Sequence, residues 1–381
     1  MEVLLEHTIT NLKKMYLDTQ DKVQEFKRAW NDVHFTNSRE RHDINVMAAL
    51  IYFYKQNKSD FNLLDAYFSS NKIKNWGFQN MVKAYIGETY VQKFIADNAY
   101  LEDDFLLGVA LFYDTHNLIR DDGVREDNES LNTLLEELLD CNSLKEFSLL
   151  QGNANPGRIL IDMVSKPHLL NYMAYAVQPD LMVILQLRAL LLENIQQNLK
   201  LHGIVTPREI EKEELFDRIL TIPIWKPSTR VMDRFPDRSF LTKLGLSEPK
   251  FTDGEWHEIL FAFSQLNQTG KMVALVTNSA LANNPTLKIR QFLVENGNIE
   301  SIIELPDRLL ENVGIELYAV VLSHDNKGVK FLDASQAYTE QRRKKNIDVD
   351  TVLENLGNPD ICTFESIESI AREDYNLLPK R

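Results

Sequence analysis

The sequence has 381 residues, of which 44% are hydrophobic and 26% charged, a balance typical of a folded, water-soluble protein. It contains no run approaching the roughly 18 to 20 apolar residues that a bilayer requires, which argues against a membrane protein. Lys and Arg number 42 against 56 Asp and Glu, so the net charge of −14 repels phosphate and only a local basic face could hold nucleic acid.

The cysteines and histidines carry no sign of a metal site. Cys141 and Cys362 lie far apart without a CxxC pair, and the eight histidines have no metal-ligand spacing. The N-terminal segment MEVLLEHTITNLKK has acids before its basic pair and no long apolar core, so we expect no secretory signal. These features predict a cytoplasmic protein without disulfides or bound metal.

Residues 1–150 form the first predicted domain, because a chain of this length seldom folds around one core. Segments such as FNLLDAYF, DDFLLGVALFY and SLNTLLEELL place apolar residues three and four apart, which is typical of amphipathic helices. Polar clusters separate these segments, including the charged run at 120–129. The pattern predicts an all-α domain, and its expected role is to pack on its neighbour.

Residues 151–336 form the second predicted domain. The segment QGNANPG marks the boundary, and beyond it short apolar runs alternate with helical stretches at 181–202, 255–266 and 285–296. We predict strands at 158–163, 172–177, 216–220, 272–277, 299–305, 317–323 and 329–333. The alternation predicts an α/β fold with a doubly wound sheet, since short apolar strands suit a sheet covered on both faces.

The C-terminal part adds two further features. LYAVVLSHDNKGVKFLD places HDNKG between two strands, which predicts an antiparallel hairpin after the sheet. Residues 337–381 are charged and partly helical, and we expect them to form a C-terminal tail.

The order of seven segments resembles one family. LKLHGI, FDRIL, GKMVALVTNSAL, IRQFLVENGNIESIIELPDRL, GIELYAVVLS, VKFLDAS and EDYNLLP follow one another as in the modification (M) subunit of type I restriction-modification systems, the N6-adenine DNA methyltransferases. The match runs from about residue 158 to residue 381, and the helical domain has the expected place and size. The resemblance implies a Rossmann-like class I methyltransferase fold and S-adenosylmethionine as the family's cofactor.

The family's glycine-rich turn after the first strand is altered in this sequence. That turn lets the backbone approach the cofactor, because glycine has no side chain. Here the strand predicted at 158–163 runs from Met163 into Val164 and Ser165, and the next glycine is Gly203. The gap before the strand predicted at 172–177 is also shorter than the about 10 to 12 residues that a parallel crossover requires. We therefore expect a lost glycine turn and a truncated first crossover helix.

The family's acidic residue at the end of the second strand is also altered. In the family it accepts hydrogen bonds from the ribose hydroxyls, and the matching position here is Gln178. An amide oxygen accepts such a bond without the added strength of a charge. Asp180 follows, either as a substitute acid or, as Asp often is, as a helix N-cap. Together with the altered turn, this predicts that no cofactor is bound.

The family's NPPF motif, which follows the fourth strand, is the third altered feature. In the family its Asn and a proline carbonyl accept from the target amine, and its aromatic ring stacks on the flipped adenine. Here Ile222, Pro223, Ile224 and Trp225 stand at these positions. Isoleucine offers no lone pair to the amine, whereas Trp225 keeps an aromatic ring that either stacks on a base or packs in the core.

The sequence contains no other catalytic or phosphate-binding motif, but two basic segments are candidates for DNA contact. No GxxxxGK[ST], GxSxG or HExxH motif occurs. Residues 226–250 carry six basic against three acidic side chains, in either a phosphate-contacting or a solvated loop. The nucleic-acid candidates in that loop are Lys226, Arg230, Arg234 and Arg238. The run RRKK at 342–345 is expected to be solvated or to face a partner.

The leading hypothesis is a degenerate, inactive relative of the modification subunit, kept as an interaction or DNA-binding module of a restriction-modification or defence system. The resemblance implies a protein partner, either a specificity subunit or a methyltransferase paralogue, and allows duplex DNA. The alternative is an active N6-adenine methyltransferase with an atypical cofactor site.

Overall fold

The computed structural model describes most of the chain. The described residues are 2–37, 44–70, 76–113, 128–152, 158–164, 168–175, 179–195, 200–205, 210, 215–225, 240–241, 244–246, 254–309, 315–341 and 344–379. Contacts divide the chain into two compact units. The first comprises Met1–His116, Asn155–Leu169 and Gln178–Val205, and the second comprises Asn117–Ala154, Leu170–Val177 and Thr206–Arg381.

Helices and strands alternate after a helical N-terminal region. The helices are α1 (Glu2–Asp18), α2 (Gln20–Asn37), α3 (Ile44–Gln56), α4 (Phe61–Phe68), α5 (Trp76–Gly87), α6 (Thr89–Asp97), α7 (Asp103–Phe112), α8 (Glu129–Leu138), α9 (Arg158–Val164), α10 (Pro179–Ile195), α11 (Gly254–Phe263), α12 (Asn278–Ala282), α13 (Leu287–Glu295), α14 (Val349–Gly357) and α15 (Ile367–Arg372). The strands are β1 (Phe147–Gly152), β2 (Leu169–Tyr175), β3 (Lys200–Val205), β4 (Phe216–Thr221), β5 (Leu266–Thr277), β6 (Ile299–Glu304), β7 (Leu317–Leu322), β8 (Gly328–Asp333), β9 (Tyr338–Gln341), β10 (Lys344–Ile347) and β11 (Thr363–Ser366). Among these elements, no helix has the length and apolar character needed to cross a bilayer.

The first unit is built around aromatic side chains and one central helix. Helix α3 is buried along almost its whole length, as its nearly continuous apolar sequence requires. Trp30 is fully buried, with its ring 4.9 Å from that of Phe94. Phe26 lies 5.5 Å from Phe94 and meets Phe105 edge to face at 6.2 Å. These contacts confirm the predicted helical N-terminal region.

A buried arginine caps helix α7 within the same unit. Arg188, on α10, is only 2% exposed. Its Nε donates to the carbonyl oxygen of Ala110 at 3.0 Å, and one of its terminal nitrogens donates to that of Tyr113 at 2.9 Å. Because the last carbonyls of a helix have no partner within it and carry partial negative charge, the guanidinium both satisfies and neutralises them.

The second unit contains a mixed sheet with the order β11-β8-β6-β7-β5-β4-β1-β2. Strand β4 runs parallel to both β1 and β5, and β7 runs antiparallel to both β5 and β6. Strand β8 runs parallel to β6, and β11 pairs antiparallel with β8. All six residues of β7 are buried, as a continuous apolar strand in the middle of a covered sheet should be. The predicted α/β fold is confirmed.

The first strand differs from the prediction. The runs predicted at 172–177, 216–220, 272–277, 299–305, 317–323 and 329–333 are present as β2, β4, β5, β6, β7 and β8. The strand predicted at 158–163 is wrong, because these residues form helix α9. A short apolar run carries too few turns for its periodicity to separate helix from strand. The first strand is β1, which begins within the segment predicted to be helical and ends two residues beyond it, at Gly152.

Two further expectations about this region are corrected. Residues 153–168 separate β1 from β2, which exceeds the about 10 to 12 residues that a parallel crossover requires, so the length argument for a lost crossover helix was wrong. The helix in this crossover is α9, which has seven residues. The helix predicted at 181–202 ends at Ile195, and the residues from Lys200 form strand β3.

The C-terminal segment is part of the second unit. Strands β9 and β10 form an antiparallel hairpin, with Tyr338 opposite Ile347. Strands β7 and β8, which were predicted to form the hairpin, are separated in the sheet by β6. Beyond the hairpin, β11 pairs with β8, and the fully buried Leu377 donates its backbone N–H to the carbonyl of Leu281 at 3.1 Å.

We predict that Arg188→Met lowers the free energy of unfolding by about 1.5 to 3 kcal/mol, because hydrogen bonds from a charged group to the α7 carbonyls are lost. The midpoint of urea unfolding followed by circular dichroism measures the change. Arg188→Lys should fall between the wild type and Arg188→Met, because one ammonium cannot reproduce the two-pronged contact. The exposed Lys93→Met on α6 is the control, and equal midpoints for Arg188→Met and Lys93→Met would contradict the prediction.

Candidate functional site

The carboxyl edge of the sheet between β1 and β4 is the candidate site. Strand β2 lies on one side of β1, and β5 lies on the far side of β4, so the order of strands reverses between β1 and β4. In open α/β sheets, ligands bind in the crevice outside the carboxyl ends of strands at such a switch point. The register places Gly152, the last residue of β1, opposite Thr221, the last residue of β4.

The predicted motif positions lie at this edge. Ile222, Pro223, Ile224 and Trp225 directly follow β4. Pro223 is buried and the other three are half-buried. The indole nitrogen of Trp225 lies 3.5 Å from the carbonyl oxygen of Leu275 on β5, which orients the ring toward the sheet. The motif positions are thus at the place expected from the resemblance, with an aliphatic side chain first.

A buried carboxylate on helix α11 holds the end of β4. Glu258 is 2% exposed, and its Oε2 accepts a hydrogen bond from the backbone N–H of Ile224 at 3.2 Å. Its Oε1 accepts from the hydroxyls of Thr221 at 3.4 Å and Tyr175 at 3.5 Å. These donors provide the partners that a buried carboxylate needs.

A second carboxylate on the same helix holds the end of β5. Glu255 is also 2% exposed, and it accepts from the backbone N–H of Thr277 at 3.1 Å and from the hydroxyl of Thr277 at 2.9 Å. Its place in the first turn of α11 is favoured by the helix dipole. Glu255 and Glu258 were missed by the sequence reasoning, although two acids three residues apart in the apolar helix GEWHEILFAF are a detectable signal.

Two buried tyrosines on β2 complete the edge. The hydroxyl of Tyr172 donates to Oε1 of Gln151 at 2.5 Å, and burial raises the pKa of Tyr172 well above its ordinary value. Burial also raises the pKa of Tyr175, and the nearby Glu258 carboxylate raises it further. Both phenols therefore stay protonated at neutral pH, where they act as hydrogen-bond donors and cannot serve as bases.

The space beside Gly152 is filled by the protein's own side chains. A Cβ atom placed on Gly152 would lie 2.5 Å from Oγ1 of Thr221 and 2.8 Å from Cζ of Tyr175, with the Tyr175 hydroxyl closer still. The space directly beside Gly152 therefore cannot also hold part of S-adenosylmethionine, the cofactor that the resemblance implies. The described residues also include no group of three or more His, Cys, Asp and Glu side chains that could hold a metal ion.

The predicted cofactor positions are not brought to this edge by the described structure. Met163 and Val164 lie in helix α9, so placing them at the end of a strand was wrong. Ser165 and Gln178 lie outside the described residues. The residues that follow β1 are 153–157, NANPG in the sequence, and they too lie outside the described residues. The predicted loss of the glycine turn therefore has no remaining basis, because Gly157 follows the true first strand.

The predicted nucleic-acid candidates belong to the segment that follows the motif positions. Lys226, Arg230, Arg234 and Arg238 all lie outside the described residues. In the sequence they begin directly after Trp225, so their attachment to the carboxyl end of β4 follows from chain connectivity alone.

Solved structures share the fold of this chain. The type I restriction-modification system methyltransferase subunit from Streptococcus thermophilus is similar with a TM-score of 0.64 and 16% identity, covering 99% of this chain and 92% of that one. The modification subunit of a type I restriction enzyme from Vibrio vulnificus YJ016 has a TM-score of 0.60 and 12% identity, covering 97% and 93%. A class I S-adenosylmethionine-dependent methyltransferase from Listeria monocytogenes has a TM-score of 0.50 and 14% identity, covering 87% and 98%. At these identities, the likeness shows the class I methyltransferase fold.

A family model adds evidence from the sequence itself. The model described as N-6 DNA Methylase matches residues 182–381, which is more than half of the chain and includes β4, the motif positions after it and both carboxylates of α11. The structural likeness and the seven ordered segments agree with this match. The chain belongs to the N-6 DNA methylase family.

Proposed function

We propose that this member of the family has lost methyl transfer and acts in the cytoplasm as an interaction or DNA-binding module of a restriction-modification or defence assembly. The observation that carries the proposal is Ile222, which directly follows β4 at the switch-point edge. Methylation of an exocyclic amine needs a polar acceptor there, and an isoleucine side chain has none.

The expected fall in the rate of methyl transfer supports an inactive protein. If the missing contact to the amine resembles the loss of one oxyanion-hole donor, the rate falls by about 10² to 10³ from this change alone. The backbone N–H of Ile224 is already bound to Glu258, so the segment after β4 is tied to α11. The packing of Tyr175 and Thr221 around Gly152 further removes space for a cofactor on that side of the edge.

The proposed role in an assembly is supported by the nature of the similar proteins. The Streptococcus thermophilus protein is a subunit of a type I restriction-modification system. A further similar structure, with a TM-score of 0.53, comes from work on complex assembly of the type I system. We therefore propose a specificity subunit or a methyltransferase paralogue as the protein partner, with duplex DNA as the second ligand.

A second candidate is an active N6-adenine methyltransferase with an atypical cofactor site. It is favoured by one observation, the spacing of β1 and β2: residues 153–168 between them leave room for a crossover and include Gly157 ahead of α9. A crossover of this length leaves residues 153–157 between β1 and α9, where the family's turn approaches the cofactor. Whether the chain transfers methyl groups separates the two candidates.

We predict that the purified chain does not transfer labelled methyl groups from S-adenosylmethionine to adenine-containing duplex DNA, alone or co-expressed with a specificity subunit. Calorimetric titration of the chain with S-adenosylmethionine should show no binding in the micromolar range. Ile222→Asn is the matched variant, and it should also stay inactive because one restored polar group leaves the filled space at Gly152 unchanged. Incorporation of labelled methyl groups into DNA by the wild type, dependent on S-adenosylmethionine, would establish the second candidate instead.

We predict that the double variant Arg230→Glu and Arg234→Glu weakens binding to duplex DNA, whatever the sequence of the duplex. Each lost phosphate contact should lower the slope of log K against log salt by about 1. Fluorescence anisotropy at several low salt concentrations measures both effects. The control is Lys288→Glu with Lys327→Glu, which makes the same charge change at exposed positions elsewhere. If both double variants bind equally, the loop at 226–250 does not contact phosphate.

A further inference from the structure

Tyr175 is fully buried and fills the space beside Gly152, the last residue of β1. We infer that its phenol ring is the built-in ligand of a pocket formed by Gly152, Thr221, Glu258 and Phe261, and that this pocket accepts a small neutral phenol once the ring is removed. The inference goes beyond the proposed function, because this packing is the same whether or not the chain transfers methyl groups.

The first support is the identity of residue 152. Glycine is required where the backbone has a positive φ or where another group approaches closely. Among the described residues, the glycines with positive φ are Gly245 and Gly297, so Gly152 is not one of them. The close approach is therefore the reason for glycine here, and the approaching atoms are those of Tyr175 and Thr221.

The second support is the match between the pocket and a phenol. Glu258 lies 3.5 Å from the Tyr175 hydroxyl and provides an acceptor for it. Phe261 meets the ring edge to face, with centroids 5.7 Å apart and an angle of 71° between the planes. A carboxylate acceptor beside an aromatic wall selects a flat apolar ring that carries one hydroxyl donor.

The third support concerns which ligands the pocket would reject. The Glu258 carboxylate repels anions, and a phenolate could not donate a hydrogen bond to it. An aromatic ring without a hydroxyl would fill the apolar part but would not replace the hydrogen bond that Glu258 accepts from the Tyr175 hydroxyl. The pocket should therefore prefer phenol to toluene, although the two molecules have nearly the same size.

The test is chemical rescue of Tyr175→Ala. The variant should melt at a lower temperature than the wild type, and millimolar phenol should raise its melting temperature while leaving the wild type unchanged, because a cavity left by a removed side chain binds a ligand of matching shape. Toluene should give a smaller rise. The double variant Gly152→Ala with Tyr175→Ala should lose the rescue, since the added methyl group enters the pocket.

An equal response to phenol in Tyr175→Ala and in the wild type would overturn the inference, as would a response to toluene as large as that to phenol. If Tyr175→Ala does not fold, Tyr175→Phe provides the second test. Gly152→Ala should lower the melting temperature less in Tyr175→Phe than in the wild type, because the atom closest to the new methyl group is the hydroxyl. Equal losses in the two backgrounds would also overturn the inference. Methyl transfer by the wild type would contradict the proposed function but would leave these melting results as they are.

Discussion

The parallel register of β1, β4 and β5 is the constraint on which the candidate site depends. It places Gly152 opposite Thr221, and Thr221 opposite Ala274, so that neighbouring strands end at the same edge. Because side chains of register partners point to the same face, the hydroxyl of Thr221 is directed toward the space above Gly152. A shift of one residue in β1 would move this glycine away from Tyr175 and expose the polar residues of the strand to the core.

Helix α11 holds this edge through two buried carboxylates. Two carboxylates on one face of the helix accept hydrogen bonds from the ends of two adjacent strands, Glu258 from β4 and Glu255 from β5. The backbone N–H groups of Ile224 and Thr277 are thus already bonded inside the chain and are not available to a ligand.

Most of the sheet could be predicted from the sequence, because its strands are short apolar runs separated by clear turn residues. Strand β1 could not, since FSLLQG contains Ser148 and Gln151 among its apolar residues. The structure gives both polar residues partners distant in sequence: Ser148 bonds to Asp217 at 2.8 Å, and Gln151 accepts from Tyr172. Local periodicity cannot reveal such partners, and the apolar helix α9 was therefore taken as the strand. At the site, Ile222 and Trp225 could be placed from sequence order alone. The roles of Glu258 and Tyr175 depend on tertiary contacts, which the sequence does not reveal.

The division of the chain into interleaved segments has a consequence during protein synthesis. The first unit includes residues up to Val205, and the second unit begins at Asn117 yet receives its edge strand β11 only from residues 363–366. Neither unit can form all its contacts when the ribosome has made only the N-terminal helices. The apolar faces of these helices therefore stay partly uncovered until later segments of the chain emerge. A nascent chain that ends near residue 150 still lacks residues 155–169 and 178–205, which complete the first unit.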